Sequence, residues 1–250
     1  MNTEPVVLCM RWGSLYGPDY VNVLYRAVKE HLKDNFRFVC LTNETDGIDS
    51  TIETYPIPNF GLEERHWYDG AWPKLSVFQQ DLYGLTGRCL FIDMDTMILS
   101  DLSPFFEVKG EIVAIDAGRN WRNSAKVGAP EAGTGIFAFD LGQMGYLFDG
   151  FVQDRDGHIA REKIEQVYVQ HMVRDMTFWS DKWVQSFKYH ARGPALSGLF
   201  TEPVLPKTAK VLAFHGNPRP VDLMNKTWGQ FPHIGRGPVT WVKAYWDRYL

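Results

Sequence analysis

Short apolar runs alternate with a helical pattern over the first hundred residues, and this alternation constrains the fold more than any other feature. Val6–Met10 is continuously apolar, which is typical of a strand buried on both faces. Apolar residues then recur at every fourth position between charged residues, as on one face of a helix: Tyr20, Leu24, Val28 and Leu32. Strands separated by helices form βαβ units. We therefore predict an α/β fold with a mixed, mostly parallel central sheet and flanking helices.

Further strands and helices are predicted along the rest of the chain. The strands are Phe36–Leu41, Thr51–Ile57, Arg88–Asp93, Glu111–Ile115, Gly135–Phe139 and Val211–Phe214. One helix is predicted to begin at Pro73, a second to cover Arg161–Met176 and a third to cover the C-terminal run Val239–Leu250. Residues 117–134 contain glycine and no regular pattern, which predicts a mobile flap. Ligands of such sheets bind at the carboxyl ends of the strands, so polar residues that follow a strand are the candidates for a site.

Composition excludes several classes of protein. The chain has 26 Lys and Arg against 30 Asp and Glu, a net charge of 26 − 30 = −4, with no basic stripe for nucleic acid. No apolar run is long enough to span a bilayer. The start, Met1–Pro5, lacks the pattern of a secretory signal. The C-terminal run has only Lys243 and Arg248 on its polar side, so at most a weak peripheral membrane contact is expected.

The three cysteines, Cys9, Cys40 and Cys89, each lie within a short apolar run. Their number is odd and their spacing is too wide for a zinc knuckle, so we predict buried side chains in strands. Free buried cysteines are typical of a reducing compartment, and the expected location is the cytoplasm.

Two carboxylates, Asp93 and Asp95, follow the predicted strand at residues 88–93. Residues i and i+2 of an extended chain point to the same side, so both can present oxygens to one hard cation. Aspartates are also common in solvated turns, which is the alternative interpretation of this short pattern. Its position behind a buried strand favours a metal site.

Two chemistries use such a pair. In nucleotide-sugar transferases the ion bridges the diphosphate of the leaving nucleotide. In phosphohydrolases of the haloacid dehalogenase type, a strand is followed by the nucleophile motif Asp-x-Asp-x-Thr, and the run Asp93-Met94-Asp95-Thr96 resembles that motif. That motif normally follows the first strand of its domain and needs a later acidic pair, whereas here a long α/β pattern precedes it and no adjacent Asp-Asp follows. The transferase is therefore favoured.

A second polar turn follows the predicted strand at residues 211–214. His215 stands where the strand stops, and Gly216 permits an unusual backbone conformation. A neutral imidazole is a suitable third ligand for Mn²⁺, and Arg219 can neutralise phosphate oxygens. A histidine at a strand end is also a common structural hydrogen-bonding residue, so both interpretations stay open.

These motifs together resemble glycosyltransferase family 8, which includes glycogenin and bacterial galactosyltransferases. The resemblance rests on Asp93-Met94-Asp95, the run Leu102–Phe106 and the closing run His215–Pro220, in the family's order. It implies a GT-A fold, a Mn²⁺ or Mg²⁺ cofactor, a UDP-sugar donor and retention of anomeric configuration. It also implies a single domain over residues 1–250, with the nucleotide-binding half at about 1–100 and the sugar-binding half at about 101–250.

The resemblance assigns roles to individual residues. The implied metal ligands are Asp93, Asp95 and His215, and the implied catalytic residues beside the transferred sugar are Glu165, Gln166 and Asp116. The expected contacts with the nucleotide-sugar come from aromatic, basic and polar residues near the strand ends: Arg11, Trp12, Tyr16, Asn43, Lys74, Met94, Lys188, Gly216 and Arg219. The expected acceptor is a hydroxyl group of a glycan.

Three positions depart from the family pattern. Gly133-Thr134-Gly135 stands where the family has Asn-Ser-Gly, Glu165 stands where it has Asp, and Arg219 stands where it has Lys in a longer terminal motif. The first two changes keep a third interpretation open, in which the chain is a catalytically inactive relative that binds nucleotide or carbohydrate.

Overall fold

The computed structural model describes residues 4–121, 128–192, 200–224 and 237–250. The strands within these ranges are β1 (Val6–Arg11), β2 (Arg37–Thr42), β3 (Glu53–Tyr55), β4 (Gly87–Ile92), β5 (Thr96–Ile98), β6 (Ile112–Asp116), β7 (Ala132–Leu141), β8 (Met176–Phe178), β9 (Val184–Ser186) and β10 (Val211–Ala213). The α-helices are α1 (Pro18–His31), α2 (Ser103–Glu107), α3 (Ala117–Asn120), α4 (Gly145–Gln153), α5 (Arg155–Glu162), α6 (Glu165–Met172) and α7 (Thr240–Tyr249).

The larger sheet has the strand order β3-β2-β1-β4-β7-β6-β8 in the described ranges. Its first four strands are parallel, β7 runs antiparallel to both of its neighbours, and β8 is again parallel to β6. The predicted mixed and mostly parallel α/β sheet is therefore confirmed.

Side chains of β1 alternate between two apolar layers, one on each face of the sheet. Val7 and Cys9 pack into the layer that contains α1, whereas Val6, Leu8 and Met10 pack into the opposite layer. Burial on both faces explains the continuous apolar run of this strand. The prediction for the cysteines is confirmed as well, because all three are free and buried in β1, β2 and β4.

Two predicted helices differ from the observed ones. The helix predicted over Arg161–Met176 is divided into α5 and α6, because Lys163 has a positive φ of 67° and Ile164 is extended. Glu165 therefore begins a helix instead of lying within one. The helix predicted from Pro73 is a 3₁₀ helix over Trp72–Phe78. The predicted flap at 117–134 begins with α3 and ends in β7, and its residues 122–127 lie outside the described ranges.

A smaller sheet, β5-β10-β9, lies beside the larger one. Its central strand β10 pairs antiparallel with β5, and Ala213 is opposite Thr96. The residues that follow Ala213 therefore run back beside those that precede Thr96. This pairing brings the segment after β10 next to the acidic segment between β4 and β5.

Helix α7 packs on α1 and closes the core on that side of the larger sheet. Its Trp246 contacts Tyr20 edge-to-face, with ring centroids 4.7 Å apart. The predicted C-terminal helix is thus confirmed. In the parts of the chain that the structure describes, no helix is both long and apolar enough to cross a membrane.

Replacing Tyr245 by phenylalanine is expected to destabilise the fold by about 1–2 kcal/mol. The Tyr245 hydroxyl accepts a hydrogen bond of 2.9 Å from the backbone N–H of buried Ile98, and phenylalanine leaves that N–H without this acceptor. Urea unfolding followed by circular dichroism measures the difference. An unchanged midpoint would show that the hydroxyl is not needed there.

Candidate active site

A cavity of about 1350 Å³ opens where β1, β4 and β10 end. Eleven of the fifteen residues singled out from the sequence line it: Trp12, Tyr16, Lys74, Asp93, Met94, Asp95, Glu165, Gln166, His215, Gly216 and Arg219. Their convergence follows from the parallel strand ends and from the pairing of β10 with β5.

Asp93 forms an ion pair with Lys74 on the floor of this cavity. The ammonium Nζ of Lys74 lies 2.7 Å from Oδ1 and 2.8 Å from Oδ2 of Asp93. Gly135 makes room for this carboxylate, since a Cβ at that position would lie 3.3 Å from Oδ2 of Asp93. Burial raises the pKa of Asp93, and the charge of Lys74 opposes that rise. Lys74 is buried too, but the charges of Asp93 and Glu165 outweigh desolvation and raise its pKa.

Asp95 accepts a hydrogen bond of 2.8 Å from the hydroxyl of Tyr16. Burial and the charge of Asp93 raise the pKa of Asp95 to about 7. Two neighbouring carboxylates therefore share the positive charge of Lys74, and their mutual repulsion disfavours ionisation of both at once.

Glu165 lies at the first position of α6, and its backbone N–H donates a hydrogen bond of 2.8 Å to the carbonyl of Gly70. Its side chain is buried and accepts a hydrogen bond from Thr134. Burial raises the pKa of Glu165 to about 7, although Lys74 and Thr134 both favour the charged form. Gln166 lines the same cavity. The start of α6 thus presents an acid and an amide beside the Lys74–Asp93 pair.

His215 lines the same cavity and is held by Ser186. The imidazole Nε2 and the hydroxyl Oγ of Ser186 are 2.7 Å apart. The imidazole ring stacks on Trp121 at a centroid distance of 5.0 Å and lies nearly parallel to the ring of Tyr189 at 5.9 Å. Burial, with a contribution from the charge of Lys188, lowers the pKa of His215 to about 4. The imidazole is therefore neutral at pH 7, as a metal ligand must be.

The donor set suits a divalent cation, since two carboxylates and a neutral imidazole line one cavity. Within the described ranges, however, no three His, Cys, Asp or Glu side chains are already grouped closely enough to hold a metal ion. Each predicted ligand contacts another side chain instead: Asp93 contacts Lys74, Asp95 contacts Tyr16 and His215 contacts Ser186. The metal site therefore remains a prediction that requires these side chains to change partners.

Four of the predicted site residues do not line the cavity. Arg11 donates hydrogen bonds to the carbonyls of Tyr16 and Glu44, and Asn43 accepts one from the backbone N–H of Ile57. Both residues shape the loops that follow β1 and β2. The positions of Arg11 and Asn43 near strand ends did not indicate these hydrogen-bond partners.

The other two residues outside the cavity lining are Asp116 and Lys188. Asp116 caps α3 and accepts hydrogen bonds from the backbone N–H groups of Arg119 and Glu131. Lys188 donates a hydrogen bond to the carbonyl of His215 and so supports the turn that carries the imidazole.

Arg219 lines the cavity and is held on two sides. Its guanidinium pairs with Asp222 at 3.1 Å and donates a hydrogen bond of 3.2 Å to the carbonyl of Leu15. It therefore links the segment after β10 to the loop after β1.

Sequence reasoning missed Ser186 and Tyr189 as neighbours of His215. Ser186 ends β9, which lies beside β10, and Tyr189 belongs to the short π-helix Phe187–Ala191 that follows. No continuous apolar run precedes Ser186, because Gln185 is polar, so the local sequence did not indicate a strand that ends at this residue. Nothing in the local sequence indicated the stacking of Tyr189 on the imidazole.

The fold is similar to those of solved glycosyltransferases. The glycosyltransferase GlyE of Streptococcus pneumoniae TIGR4 aligns with 99% of this chain at a TM-score of 0.59 and 12% identity. The galactosyltransferase LgtC, solved with donor and acceptor sugar analogues, aligns with 97% of the chain at 0.57 and 13%. The bifunctional glycosyltransferase WbbM aligns with 99% of the chain at 0.58 and 14%.

The chain spans 94% of LgtC, but only 61% of GlyE and 52% of WbbM. At such low identities the likeness shows the fold alone, and it confirms the predicted GT-A fold. No protein-family model and no curated protein sequence matches the chain. Membership of glycosyltransferase family 8 therefore stays a prediction.

Proposed function

We propose that this protein is a glycosyltransferase that moves a sugar from a UDP-sugar to a hydroxyl group of a glycan acceptor. One observation carries the proposal. Three separate parts of the chain meet in one cavity of a GT-A fold, and they contribute Asp93 and Asp95, Glu165 and Gln166, and His215. Similarity to solved glycosyltransferases supports the reaction class.

The residues proposed to hold a Mn²⁺ or Mg²⁺ ion are Asp93, Asp95 and His215. Such an ion, when bound, supplies positive charge for the diphosphate of the leaving nucleotide. Lys74 and Arg219 line the same cavity and add fixed positive charge from the protein. Electrostatic stabilisation of a leaving group of this kind is a large contribution to catalysis.

Glu165 and Gln166 are proposed to bind the sugar that is transferred. Cleavage of the sugar–phosphate bond leaves positive charge on the sugar, and a nearby carboxylate and amide can orient and stabilise it. Thr134 and Gly70 hold Glu165 in place through its side chain and its backbone N–H. Retention of anomeric configuration is proposed from the resemblance to family 8.

Trp12 and Tyr16 are proposed to contact the nucleotide, since both lie after β1 and line the cavity. Arg11 and Asn43 are proposed to support them indirectly by fixing the loops after β1 and β2. The fold gives no support to a phosphohydrolase of the haloacid dehalogenase type. Asp93 follows β4, which is not the first strand of the sheet, and the similar solved structures are glycosyltransferases.

The test is release of UDP from a panel of UDP-sugars, measured with Mn²⁺ and again with excess EDTA. We expect turnover of at least one donor with Mn²⁺, and UDP binding at least about tenfold tighter with the ion than without it, a difference of about 1.4 kcal/mol. Calorimetry measures the affinity directly. Equal UDP affinity with and without the ion would contradict the metal site.

Two further outcomes would contradict transferase activity itself. Tight binding of UDP with no turnover of any donor would identify an inactive binding protein. Release of phosphate from an aryl phosphate, lost in Asp93→Asn, would identify a phosphohydrolase.

A further inference from the structure

Three exposed apolar side chains line the mouth of the cavity. Leu15, Tyr68 and Ile164 are 62%, 69% and 41% exposed, and each belongs to a different segment of the chain. We call these three residues, with the half-buried Trp67, the mouth patch. Contiguous exposed apolar side chains on a folded protein commonly mark a binding surface.

The segments of the mouth patch touch one another. The backbone of Gly13 approaches the ring of Tyr68 so closely that a Cβ there would lie 3.3 Å from Cε1 of the ring. The indole N–H of Trp12 donates a hydrogen bond of 2.5 Å to the carbonyl of Trp67. The hydrogen bond from Glu165 to Gly70 ties the next residues of the same loop to α6. These contacts join the loop after β1, the loop that carries Tyr68 and the start of α6 along the wall of the cavity.

The size of the cavity leaves room for two molecules. Its volume of about 1350 Å³ exceeds the roughly 300–1000 Å³ of a typical small-molecule pocket, and a UDP-sugar is one small molecule. The donor is proposed to occupy the charged part between Lys74 and His215. The mouth patch is then left for the acceptor.

Charge near the patch favours a neutral occupant. The segment from Glu63 to Asp69 contains three acidic residues, Glu63, Glu64 and Asp69, against one basic residue, Arg65. Arg65 already pairs with Glu63 at 2.9 Å. Arg219, which donates a hydrogen bond to the carbonyl of Leu15, is already paired with Asp222. An anionic acceptor would be repelled by the segment that carries Tyr68, whereas a neutral pyranose can place its C–H face against an aromatic ring.

We propose that the exposed ring of Tyr68 is the stacking platform for a neutral pyranose ring of the acceptor glycan, with Leu15 and Ile164 at its edges. This proposal rests on the proposed transferase function and adds to it the chemistry of the second substrate. The platform lies next to the loop residue Gly70 that holds Glu165, so a stacked acceptor sits beside the sugar that is transferred.

Saturation-transfer NMR with methyl β-galactopyranoside and methyl β-glucopyranoside tests the platform on the UDP-saturated protein. We expect signals on one face of the pyranose ring, lost in Tyr68→Ala and kept in Tyr68→Phe. Tyr83→Ala is the matched control, because Tyr83 is an exposed tyrosine that stacks on Tyr55 and does not line the cavity. Absence of these signals in the wild-type protein, or their persistence in Tyr68→Ala, would overturn the proposal.

Kinetics give a second measurement. In Tyr68→Ala the KM for the acceptor glycoside is expected to rise at least tenfold, while the affinity for UDP measured by calorimetry is unchanged. An equal loss of UDP affinity would overturn the assignment of Tyr68 to the acceptor. A wild-type dimer in sedimentation that becomes monomeric in Tyr68→Ala would overturn it too, since the patch would then bind a second copy of the chain.

Failure of the platform and failure of the transferase function can be told apart. Hydrolysis of the UDP-sugar without any acceptor depends on the donor site alone. Donor hydrolysis with an unaltered acceptor KM in Tyr68→Ala would refute only the platform. A wild-type protein that neither binds UDP nor hydrolyses a UDP-sugar would refute both.

Discussion

Replacement of Asp95 by asparagine is expected to lower kcat for sugar transfer by about 10²- to 10³-fold. The carboxylate is proposed to hold the cation that stabilises the leaving diphosphate, and an amide carries no charge for it. Stability should not fall, because burial and Asp93 already penalise the charged form of Asp95. The amide oxygen can still accept the hydrogen bond from Tyr16. UDP release and thermal unfolding are measured on the same preparation.

Asp101→Asn makes the same chemical change outside the cavity. Asp101 is exposed and accepts hydrogen bonds from the backbone and hydroxyl of Ser103, which asparagine can also do. Its kcat and its UDP affinity should match those of the wild-type protein. Full activity in Asp95→Asn would refute the role of the Asp-x-Asp pair. Unfolding of Asp95→Asn would contradict the prediction that this replacement does not lower the stability of the protein.

Replacement of Lys74 by methionine is expected to lower the free energy of unfolding by about 3 kcal/mol. The Lys74 side chain is only 8% exposed, and its removal leaves the charge of Asp93 without its closest partner. Removal of one partner from a buried ion pair costs about 3–5 kcal/mol. The lower end of that range applies here, because the Asp93 side chain is 32% exposed to water. For a chain of this size, the melting temperature should fall by about 10 °C. Urea and thermal unfolding both measure this.

A double-mutant cycle separates the ion pair from simple loss of packing. Asp93→Asn removes the charge that Lys74 compensates, so the double variant Lys74→Met with Asp93→Asn should recover most of the stability lost in Lys74→Met. Additive losses in the double variant would show that the two side chains are not coupled. Both single variants should also lose transfer activity, since both residues line the proposed donor site.

The strands and the acidic pair could be predicted from the sequence because their signals are local. Val6–Met10 is apolar throughout since both of its faces are covered, and residues two apart in an extended chain point to the same side. The division of the helix at Lys163 could not be predicted from local periodicity, because the residues that follow it bond to a distant part of the chain, as Glu165 does to Gly70.

The partners of individual site residues were beyond local reasoning. His215 reaches the cavity because Ala213 pairs with Thr96, a register that sequence spacing does not define. Asp116 lies at the end of β6, as predicted, but its carboxylate accepts hydrogen bonds from two backbone N–H groups. The sequence thus predicted that these residues lie at the edge of the sheet, but it did not predict which neighbouring groups bond to their side chains.

The pairing of β10 with β5 has a consequence for synthesis on the ribosome. Thr96 and Ala213 are separated by more than a hundred residues, so β5 waits without its partner strand while the intervening chain is made. Contacts of such long sequence separation form late and slow the folding of a chain. A nascent chain that has completed only the larger sheet would carry the acidic pair but not the imidazole. Under the proposed function, transfer activity would therefore begin only after translation has passed β10.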